Sequence, residues 1–435
     1  MAIYSYEEAF GAADQTSRKM RAAIQNWFDL YYGAAGEDQD PCQRVAYSVV
    51  CKLVRTVFGE YQASAGEDFT RQVLESLNRK ARQALELALV GGECYLKPCP
   101  GAAGFSFTLI PRSNALIFGR DASGKVTDIG TVEKSIRGRY YYTLLERRTV
   151  DDNGYLTIQN RLFRSMNPQN LGSQVKLDSH PDYGQLAESY RYEKPIGSVG
   201  LVQLRTPMLN CVDGSADGVS VYAPAVGLID AIDENEAQLK GEFRRGQSRI
   251  LASRDLLKSD EGGNLQLTDH LFVGLDEDPE QVGITIFAPQ LRHEAYLERK
   301  QEYLRNVESV IGLKRGMLSD ANVEERTATE IASSAGDYNL TVIDFQRAWE
   351  SAVVECVRLC AALAQVYSMA VVPVHPTVSI DWGNGILYDE DKMWEDYQNM
   401  VASGLLKPEI ALGWRFNMPS ETAEDQAAIR SRLMP

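Results

Sequence analysis

The sequence lacks an apolar stretch that could cross a bilayer. Its most apolar stretch, residues 353–374, is interrupted by Glu355, Arg358 and Pro373, and charged residues inside a bilayer are costly. Basic residues are also few relative to acidic ones, because 45 Lys and Arg stand against 60 Asp and Glu and give a net charge of -15. Nucleic acids and anionic membranes attract basic surfaces, so this balance argues against a protein that wraps nucleic acid or lies on a membrane.

Cysteine and histidine are too dispersed to indicate a metal site. The four histidines stand far apart: His180, His270, His293 and His375. Two cysteine pairs are close in sequence, without a second pair nearby: Cys94 with Cys99, and Cys356 with Cys360. We therefore expect buried thiols, exposed imidazoles and no metal or cofactor. The seven cysteines are odd in number and the first residues have no leader-like pattern, so we expect a reducing, cytosolic setting.

The first half of the chain predicts helices followed by a series of strands, which is an α+β fold. The 435 residues are 44% hydrophobic and 24% charged, enough for two or three globular domains. Apolar residues at helical spacing predict helices over residues 20–31, 45–58 and 69–90. Strands are predicted over residues 93–99, 105–111, 115–118, 126–132, 140–148 and 155–163, with hairpin turns at residues 123–124 and 151–154.

The second half predicts two charged helices around a small β insert. The helices cover residues 222–249 and 290–312, and the Gly/Asp-rich insert covers residues 251–289. In the second helix, Leu297, Leu304 and Ile311 form a thin apolar seam. The chain then ends with a predicted strand and three short helices, over residues 378–382, 392–401, 408–414 and 421–433.

An unusually long helix is predicted after residue 326. Thr327 and Glu330 have the spacing of a capping box, in which each side chain satisfies a free backbone N–H group. The apolar residues that follow keep a 4-3 spacing: Ile331, Ala335, Tyr338, Val342, Phe345, Trp349, Ala352, Cys356, Leu359, Leu363 and Val366. A helix continuing to about residue 369 would be roughly 60 Å long. Its mixed seam is unlike the Leu/Ile/Val seam of a coiled-coil dimer, so we predict that it lines a large core.

One string is typical of an enzyme. Residues 119–126, GRDASGKV, match the P-loop spacing through Gly119, Gly124 and Lys125, but Val126 stands where a P-loop has its Mg-binding Ser or Thr. A P-loop must also open a helix, whereas the next residues alternate as a strand. We therefore interpret this string as a hairpin turn.

Several stretches occur in an order that is informative as a whole. They are the helix containing Trp27 to Tyr31, ALELALVGGECYLKP (residues 84–98), DASGKVTDI (121–129), ERRTVDDNGYLTIQNRLFRS (146–165), LGSQVKL (171–177), GVSVYAPAVGLIDAID (218–233) and RTATEIASS (326–334). In this order they resemble the portal proteins of tailed bacteriophages, in particular the group common in phages of Gram-positive hosts. The resemblance extends over nearly the whole chain.

The resemblance implies a portal-like α+β subunit that is not an enzyme. Its parts would be a wing (residues 1–220), a first stem helix (221–250), a clip (251–289), a second stem helix (290–312), a tunnel loop (313–325), a further wing part with the long helix and a strand (326–386) and a short helical crown (387–435). Twelve subunits would form a ring at one capsid vertex of the virion, after assembly in the host cytoplasm. The implied partners are further copies of the chain, the terminase large subunit, head-completion or adaptor proteins, major capsid and scaffolding proteins, and double-stranded DNA that passes through without sequence specificity.

The resemblance also places candidate functional residues. The tunnel loop would face DNA with Lys314, Arg315, Asp320, Asn322, Glu324 and Glu325. The clip would face the terminase or connector with Asp260, Asn264, Asp269, Asp276, Glu277 and Asp278. Gly316 and the run Asp320 to Asn322 disfavour regular structure, so we expect this loop to move freely. An acidic ring suits transport, because it repels phosphate at short range.

Three alternatives stay open at the level of sequence. The string at Gly119, Gly124 and Lys125 would make the chain a P-loop nucleotide-binding enzyme. The long helix by itself would make it a coiled-coil assembly factor. Within the portal interpretation, Lys314 and Arg315 either contact DNA phosphates or pair with Glu324 or Glu325 of a neighbouring subunit.

Overall fold

The computed structural model contains both helices and sheets, which confirms the predicted α+β class. It describes residues 4–33, 42–101, 104–246, 249–252, 257–259, 265–267, 284–287, 291–320, 328–369, 376–383, 390–416, 418–420 and 422–433. The helices are α1 (Tyr4–Phe10), α2 (Arg18–Tyr32), α3 (Val45–Val57), α4 (Asp68–Asn78), α5 (Ala81–Gly91), α6 (Val226–Arg245), α7 (His293–Ile311), α8 (Ala328–Val366), α9 (Glu390–Ala402), α10 (Pro408–Arg415) and α11 (Ala423–Leu433).

The strands fall into separate antiparallel sheets. They are β1 (Gln62–Ser64), β2 (Glu93–Gly101), β3 (Gly104–Pro111), β4 (Ala115–Arg120), β5 (Val126–Arg137), β6 (Tyr140–Val150), β7 (Leu156–Ser165), β8 (Ser173–Val175), β9 (Ser189–Arg191), β10 (Val202–Arg205), β11 (Arg249–Ala252), β12 (Leu257–Ser259), β13 (Leu265–Leu267), β14 (Ile284–Phe287) and β15 (Ser379–Asp381). The chain divides into two compact units. Unit 1 is Met1–Phe28, Val49–Ala223 and Ala335–Pro435, and unit 2 is Asp29–Ser48 and Pro224–Ser334.

The larger sheet of unit 1 is a series of hairpins. Its strand order is β4-β5-β6-β7-β8, with β9 also paired to β7. The β4–β5 turn is closed by hydrogen bonds between Asp121 and Lys125 and has Gly124 at φ +83°, a conformation that glycine adopts without steric cost. Gly154 has the same role at φ +81° in the β6–β7 turn. Both hairpin turns predicted from the sequence are confirmed.

A smaller sheet of unit 1, with the order β10-β2-β3, packs beside α5. Helix α5 ends where Gly92 takes the left-handed conformation at φ +81°. A Cβ atom on Gly92 would lie 2.3 Å from the backbone of Gly218, so only glycine allows the two chain segments to approach this closely. This contact fixes the segment before α6 to the start of β2.

The long helix α8 has 39 residues, Ala328–Val366, which confirms the prediction of an unusually long helix that lines a core, although it ends a few residues before residue 369. The seam residues from Tyr338 to Leu363 are buried. Trp349 is fully buried and its ring meets Phe58 edge-on at 5.5 Å, within unit 1. Thr327 lies outside the described residues. Among the residues described, no helix is long and apolar enough to span a membrane.

Three sequence predictions are wrong in detail. The single helix predicted over residues 69–90 is two helices, because the chain turns at Arg79 and Lys80, where the Lys80 N–H bonds to Leu77 O at 2.8 Å. Arg249 was predicted to be helical and instead begins β11. His180 was predicted to be exposed and is buried, stacked on Tyr183 at 4.7 Å. Two adjacent aromatic rings shield the imidazole from water, which a single sequence position does not reveal.

Candidate functional site

Helices α6 and α7 of unit 2 form an antiparallel pair. At one end Arg292 forms a bidentate ion pair with Glu242, with a shorter distance of 3.0 Å. Further along, Asn235 Nδ2 donates to Tyr296 O at 3.1 Å. Lys300 Nζ lies 3.3 Å from Glu236. The contacts move from residue 242 to residues 235 and 236 on α6 as they move from residue 292 to residues 296 and 300 on α7. The pair is therefore a helical hairpin held by a thin seam and by polar contacts.

The insert between the two helices begins and ends as one antiparallel strand pair. In it β11 pairs with β14, and Arg249 lies opposite Phe287. The shorter strands β12 and β13 also pair with each other. The predicted strand-rich character of the insert is thereby confirmed. The clip residues expected to face the terminase or connector lie outside the described residues: Asp260, Asn264, Asp269, Asp276, Glu277 and Asp278.

The face of α6 that points away from α7 combines small and acidic residues. It contains Gly227, Asp230, Glu234, Ala237 and Gly241, at the three- and four-residue spacing of one helix face. A Cβ atom on Gly227 would meet nothing within 4 Å. Partial burial raises the pKa of the Asp230 carboxyl. Around Gly227 and Asp230 this face is therefore open to a close helix-on-helix contact and carries negative charge, whereas the cation Arg245 lies over Gly241 at its other end.

The corresponding outer face of α7 carries cations among its charged residues. It lines an open groove of about 680 Å³ with Ala295, Glu298, Arg299, Glu302, Arg305, Asn306 and Arg315. Of the predicted apolar seam, Leu304 and Ile311 are buried on the other side of the helix together with Val307, whereas Leu297 is about half exposed. The groove is polar and shallow, which suits a charged helix face better than a small apolar ligand.

The segment after α7 folds back onto that helix. Gly312 takes φ +78° and lets the Leu313 N–H bond to Glu308 O at 2.8 Å. The side chain of Glu308 is 1% exposed, and its oxygens accept the backbone N–H groups of residues 316, 318 and 319 and the hydroxyl of Ser319. The Asp320 N–H bonds to Gln301 Oε1 at 2.8 Å. The sequence interpretation missed this role of Glu308.

The predicted DNA-facing residues fall partly on this folded segment. Lys314, Arg315 and Asp320 are exposed. Asn322, Glu324 and Glu325 lie outside the described residues. The expectation that the loop moves freely is wrong for residues 313–320, because a buried carboxylate holds their backbone.

Unit 1 holds its buried charges in internal ion pairs. Glu146 on β6 lies 2.7 Å from both Lys97 Nζ and Arg148 Nε. Burial raises the pKa of Glu146, but the two cations outweigh it and lower that pKa to about 2. Arg112 is completely buried and lies 3.3 Å from Glu93 and 3.2 Å from Asp217. These pairs lie within the fold of unit 1 and are not arranged around an open cleft.

Lys125, which the enzyme interpretation places on a phosphate, lies in the β4–β5 turn, and its Nζ donates to Gly197 O at 3.1 Å. A strand and not a helix follows it, so the helix N-terminus that a P-loop requires is missing here. Burial raises the pKa of Cys94 to about 12, which makes it an unreactive core thiol. In the described part of the chain, no three metal-ligating side chains converge.

A comparison with protein families identifies the chain. The family model described as "Phage portal protein, SPP1 Gp6-like" matches residues 120–432, more than two thirds of the 435 residues. The chain belongs to this family of phage portal proteins. No curated protein is significantly similar to it in sequence. The resemblance drawn from the order of its segments is thus confirmed.

Membership in this family gives the chain the function of a portal protein, a channel for packaging the genome of a tailed bacteriophage. Portal proteins act as homo-oligomeric rings at a capsid vertex and contact capsid and terminase components. The family is structural rather than enzymatic. The hairpin at Lys125 agrees with this assignment.

Proposed function

We propose that twelve copies of the chain form the portal ring, with the α6–α7 pair as the stem of each subunit. The observation that carries this proposal is the antiparallel pair itself, joined by the strand pair β11–β14. In this arrangement residues 251–289 are the clip, residues 1–220 and 326–386 the wing, and residues 387–435 the crown. The clip then receives the terminase large subunit and, after packaging, the head-completion proteins.

Neighbouring subunits would meet through the outer faces of the stem. A ring subunit contacts its two neighbours through different surfaces. The outer face of α6 carries acidic residues and the outer face of α7 carries cations, so the two faces would attract each other across a subunit interface. In the hairpin, Glu236 pairs with Lys300, which places Asp230 near the level of Arg305 along the stem. We therefore pair Asp230 of one subunit with Arg305 of the next, and Glu234 with Arg299.

The small residues of α6 support close contact between neighbours. Gly227 and Ala237 leave room for an approaching helix, whereas larger side chains would hold it away. At Gly241 the guanidinium of Arg245 already lies 3.5 Å from the place that a Cβ atom would take. The exposed apolar side chains Phe243, Leu297 and Val310, each about half exposed, lie on the same two helices. Their burial against a neighbour would add to the charge contacts.

The lumen would be formed near the segment that follows α7. A channel that transports DNA must not hold it tightly, and a subunit with net charge -15 repels the phosphate backbone. Lys314 and Arg315 would supply brief phosphate contacts without reading sequence. DNA passes the ring without sequence specificity on this proposal, while scaffolding and major capsid proteins contact the outside of the wing during assembly in the host cytoplasm.

Particle mass and images test the ring directly. Mass photometry of the purified full chain at micromolar concentration is expected to give a species near twelve times the 48.4 kDa subunit mass, and negative-stain images are expected to show rings with a central hole. A strictly monomeric protein across moderate salt concentrations would contradict the proposal. A closed ring of another size would correct only the number of subunits.

A further inference from the structure

A buried carboxylate near the end of α7 binds backbone groups instead of cations. Glu308 Oε1 accepts the Leu318 N–H at 2.5 Å and the Ser319 N–H at 2.9 Å. The Gly316 N–H lies 3.1 Å from both carboxylate oxygens. Ser319 Oγ donates to Glu308 Oε2 at 2.8 Å. The donors are thus neutral groups that all belong to one short segment.

These hydrogen bonds determine the shape of that segment. A carboxylate removed from water is costly unless its oxygens are satisfied, and N–H groups that donate to a charged oxygen form stronger bonds than neutral pairs do. For the amides of residues 316, 318 and 319 to reach one carboxylate, the backbone between them must turn tightly. Gly316 at φ +90° provides the conformation that this turn requires.

The segment is also fixed on both sides of the carboxylate. Leu313 is buried and bonds to the last turn of α7. The Met317 N–H bonds to Lys314 O at 3.1 Å, which closes a turn around the two basic residues. The Asp320 N–H bonds to Gln301 on α7. Lys314 and Arg315 are therefore exposed side chains on a fixed backbone.

We propose that Glu308 is a positioning residue that holds residues 313–320 in one conformation and so orients Lys314 and Arg315 for contact with DNA phosphates. The backbone part of this inference stands on the geometry of unit 2 alone. Its consequence for DNA rests on the proposed lumen location of this segment. The basic pair then acts as a fixed contact in the channel and not as two mobile side chains on a free loop.

Hydrogen exchange of the full chain tests the backbone part. Glu308→Gln keeps the shape of the side chain but replaces one acceptor oxygen with an NH₂ group, which cannot accept these N–H bonds. We expect exchange in peptides covering residues 316–319 to speed up at least tenfold and tryptic cleavage after Lys314 and Arg315 to increase. The control is Glu294→Gln, an exposed glutamate on the same helix, which is expected to behave as wild type. Unchanged protection in Glu308→Gln would overturn the proposal.

A milder variant keeps the test valid if Glu308→Gln does not fold. Ser319→Ala removes the one side-chain donor and leaves the backbone bonds in place. We expect an increase of roughly threefold in exchange over residues 316–319, with normal ring assembly. Wild-type exchange in both Ser319→Ala and Glu308→Gln would contradict any anchoring by this carboxylate.

A double-mutant comparison tests the consequence for DNA. DNA retention in reconstituted heads is measured for Glu308→Gln, for Lys314→Ala with Arg315→Ala, and for all three changes together, with ring assembly checked by mass photometry. If Glu308 acts through the basic pair, the triple variant retains as much DNA as the double variant. Losses that multiply would overturn the positioning role. If the basic pair has no effect while Glu308→Gln still loses protection, the lumen location fails and the backbone anchor is upheld.

Discussion

The sheet of unit 1 and the α6–α7 pair of unit 2 use charged residues differently. In unit 1, Glu146 is buried between two cations of the same subunit. On the stem pair, Asp230 and Glu234 point outward on a face that also contains glycine and alanine. Buried internal pairs fix a fold, whereas charges on an open helix face are available to a neighbouring molecule. The difference separates charges that stabilise the subunit from charges that, in the proposed ring, contact a neighbouring subunit.

The largest effect is expected when the buried carboxylate of Glu146 in unit 1 is removed. Glu146→Gln leaves Lys97 and Arg148 near each other without their carboxylate, and we expect a loss of about 3 kcal/mol in the free energy of unfolding. Urea unfolding of the full chain measures it. Glu188→Gln, an exposed glutamate on the same unit, is the matched control and is expected to change little. Equal stability of the two variants would show that the pair contributes nothing.

The contribution of Glu146 to the free energy of unfolding should change with pH in a direction that follows from its pKa. The pKa of Glu146 is about 2 in the folded chain, below the ordinary value of 4.5. Its contribution is therefore complete above pH 4.5 and is lost as the pH falls toward 2. We expect the stability difference between wild type and Glu146→Gln to shrink over this range. A difference that is constant from pH 6 to pH 3 would contradict the ionic origin.

Much of the fold could be predicted from local patterns. The turns at Gly124 and Gly154, the end of α5 at Gly92 and the long seam of α8 follow from residue types that favour one local conformation. The break between α4 and α5 could not be predicted, because Arg79 and Lys80 are both compatible with a helix and tertiary packing decides the turn. The burial of His180 could not be predicted for a similar reason, since one of the two rings that shield it belongs to Tyr142, which is distant in the sequence.

The order of the elements around the candidate site could be predicted from the sequence, but the hydrogen bonds that hold the segment after α7 to Glu308 could not. The two charged helices and the loop after them were evident from spacing and composition. Glu308 was missed although it lies on the same side of α7 as Leu304 and Ile311, within the apolar seam. A charged residue inside an apolar seam indicates a buried partner, which here is the backbone of residues 316–319. That partner becomes evident only when the chain is folded.

Charge changes on the outer faces of α6 and α7 are expected to have a smaller effect on the stability of the subunit but a large effect on ring assembly. Asp230→Lys or Arg305→Glu should leave urea unfolding of the subunit within about 1 kcal/mol, since Asp230 is exposed, Arg305 is half-buried, and charges near the surface contribute little to a single chain. Each change should shift ring formation to higher protein concentration, because it places like charges opposite each other at every interface. The variant that carries both changes should recover assembly.

The charge swap has its own control. Glu193→Lys makes the same change in net charge as Asp230→Lys, at an exposed position of unit 1, and is expected to assemble as wild type. Mass photometry across a concentration series gives the distribution for all four variants. Failure of the double variant to recover, with both single variants impaired, would mean that Asp230 and Arg305 do not face each other.

The smallest effect on the protein itself is expected at Lys314 and Arg315. Changing both to Ala should leave urea unfolding unchanged, because both side chains are exposed and the segment is held through its backbone and Glu308. Ring assembly is measured alongside, since Arg315 also lines the groove on the outer face of α7. If they contact phosphate in the lumen, DNA length or retention in reconstituted heads falls, and the loss is larger at low salt than at high salt because phosphate contacts are screened. If they instead pair with Glu324 or Glu325 of a neighbour, the same variant weakens the ring and DNA retention follows assembly. Unchanged packaging, retention and assembly together would remove the main support for placing this segment in the lumen.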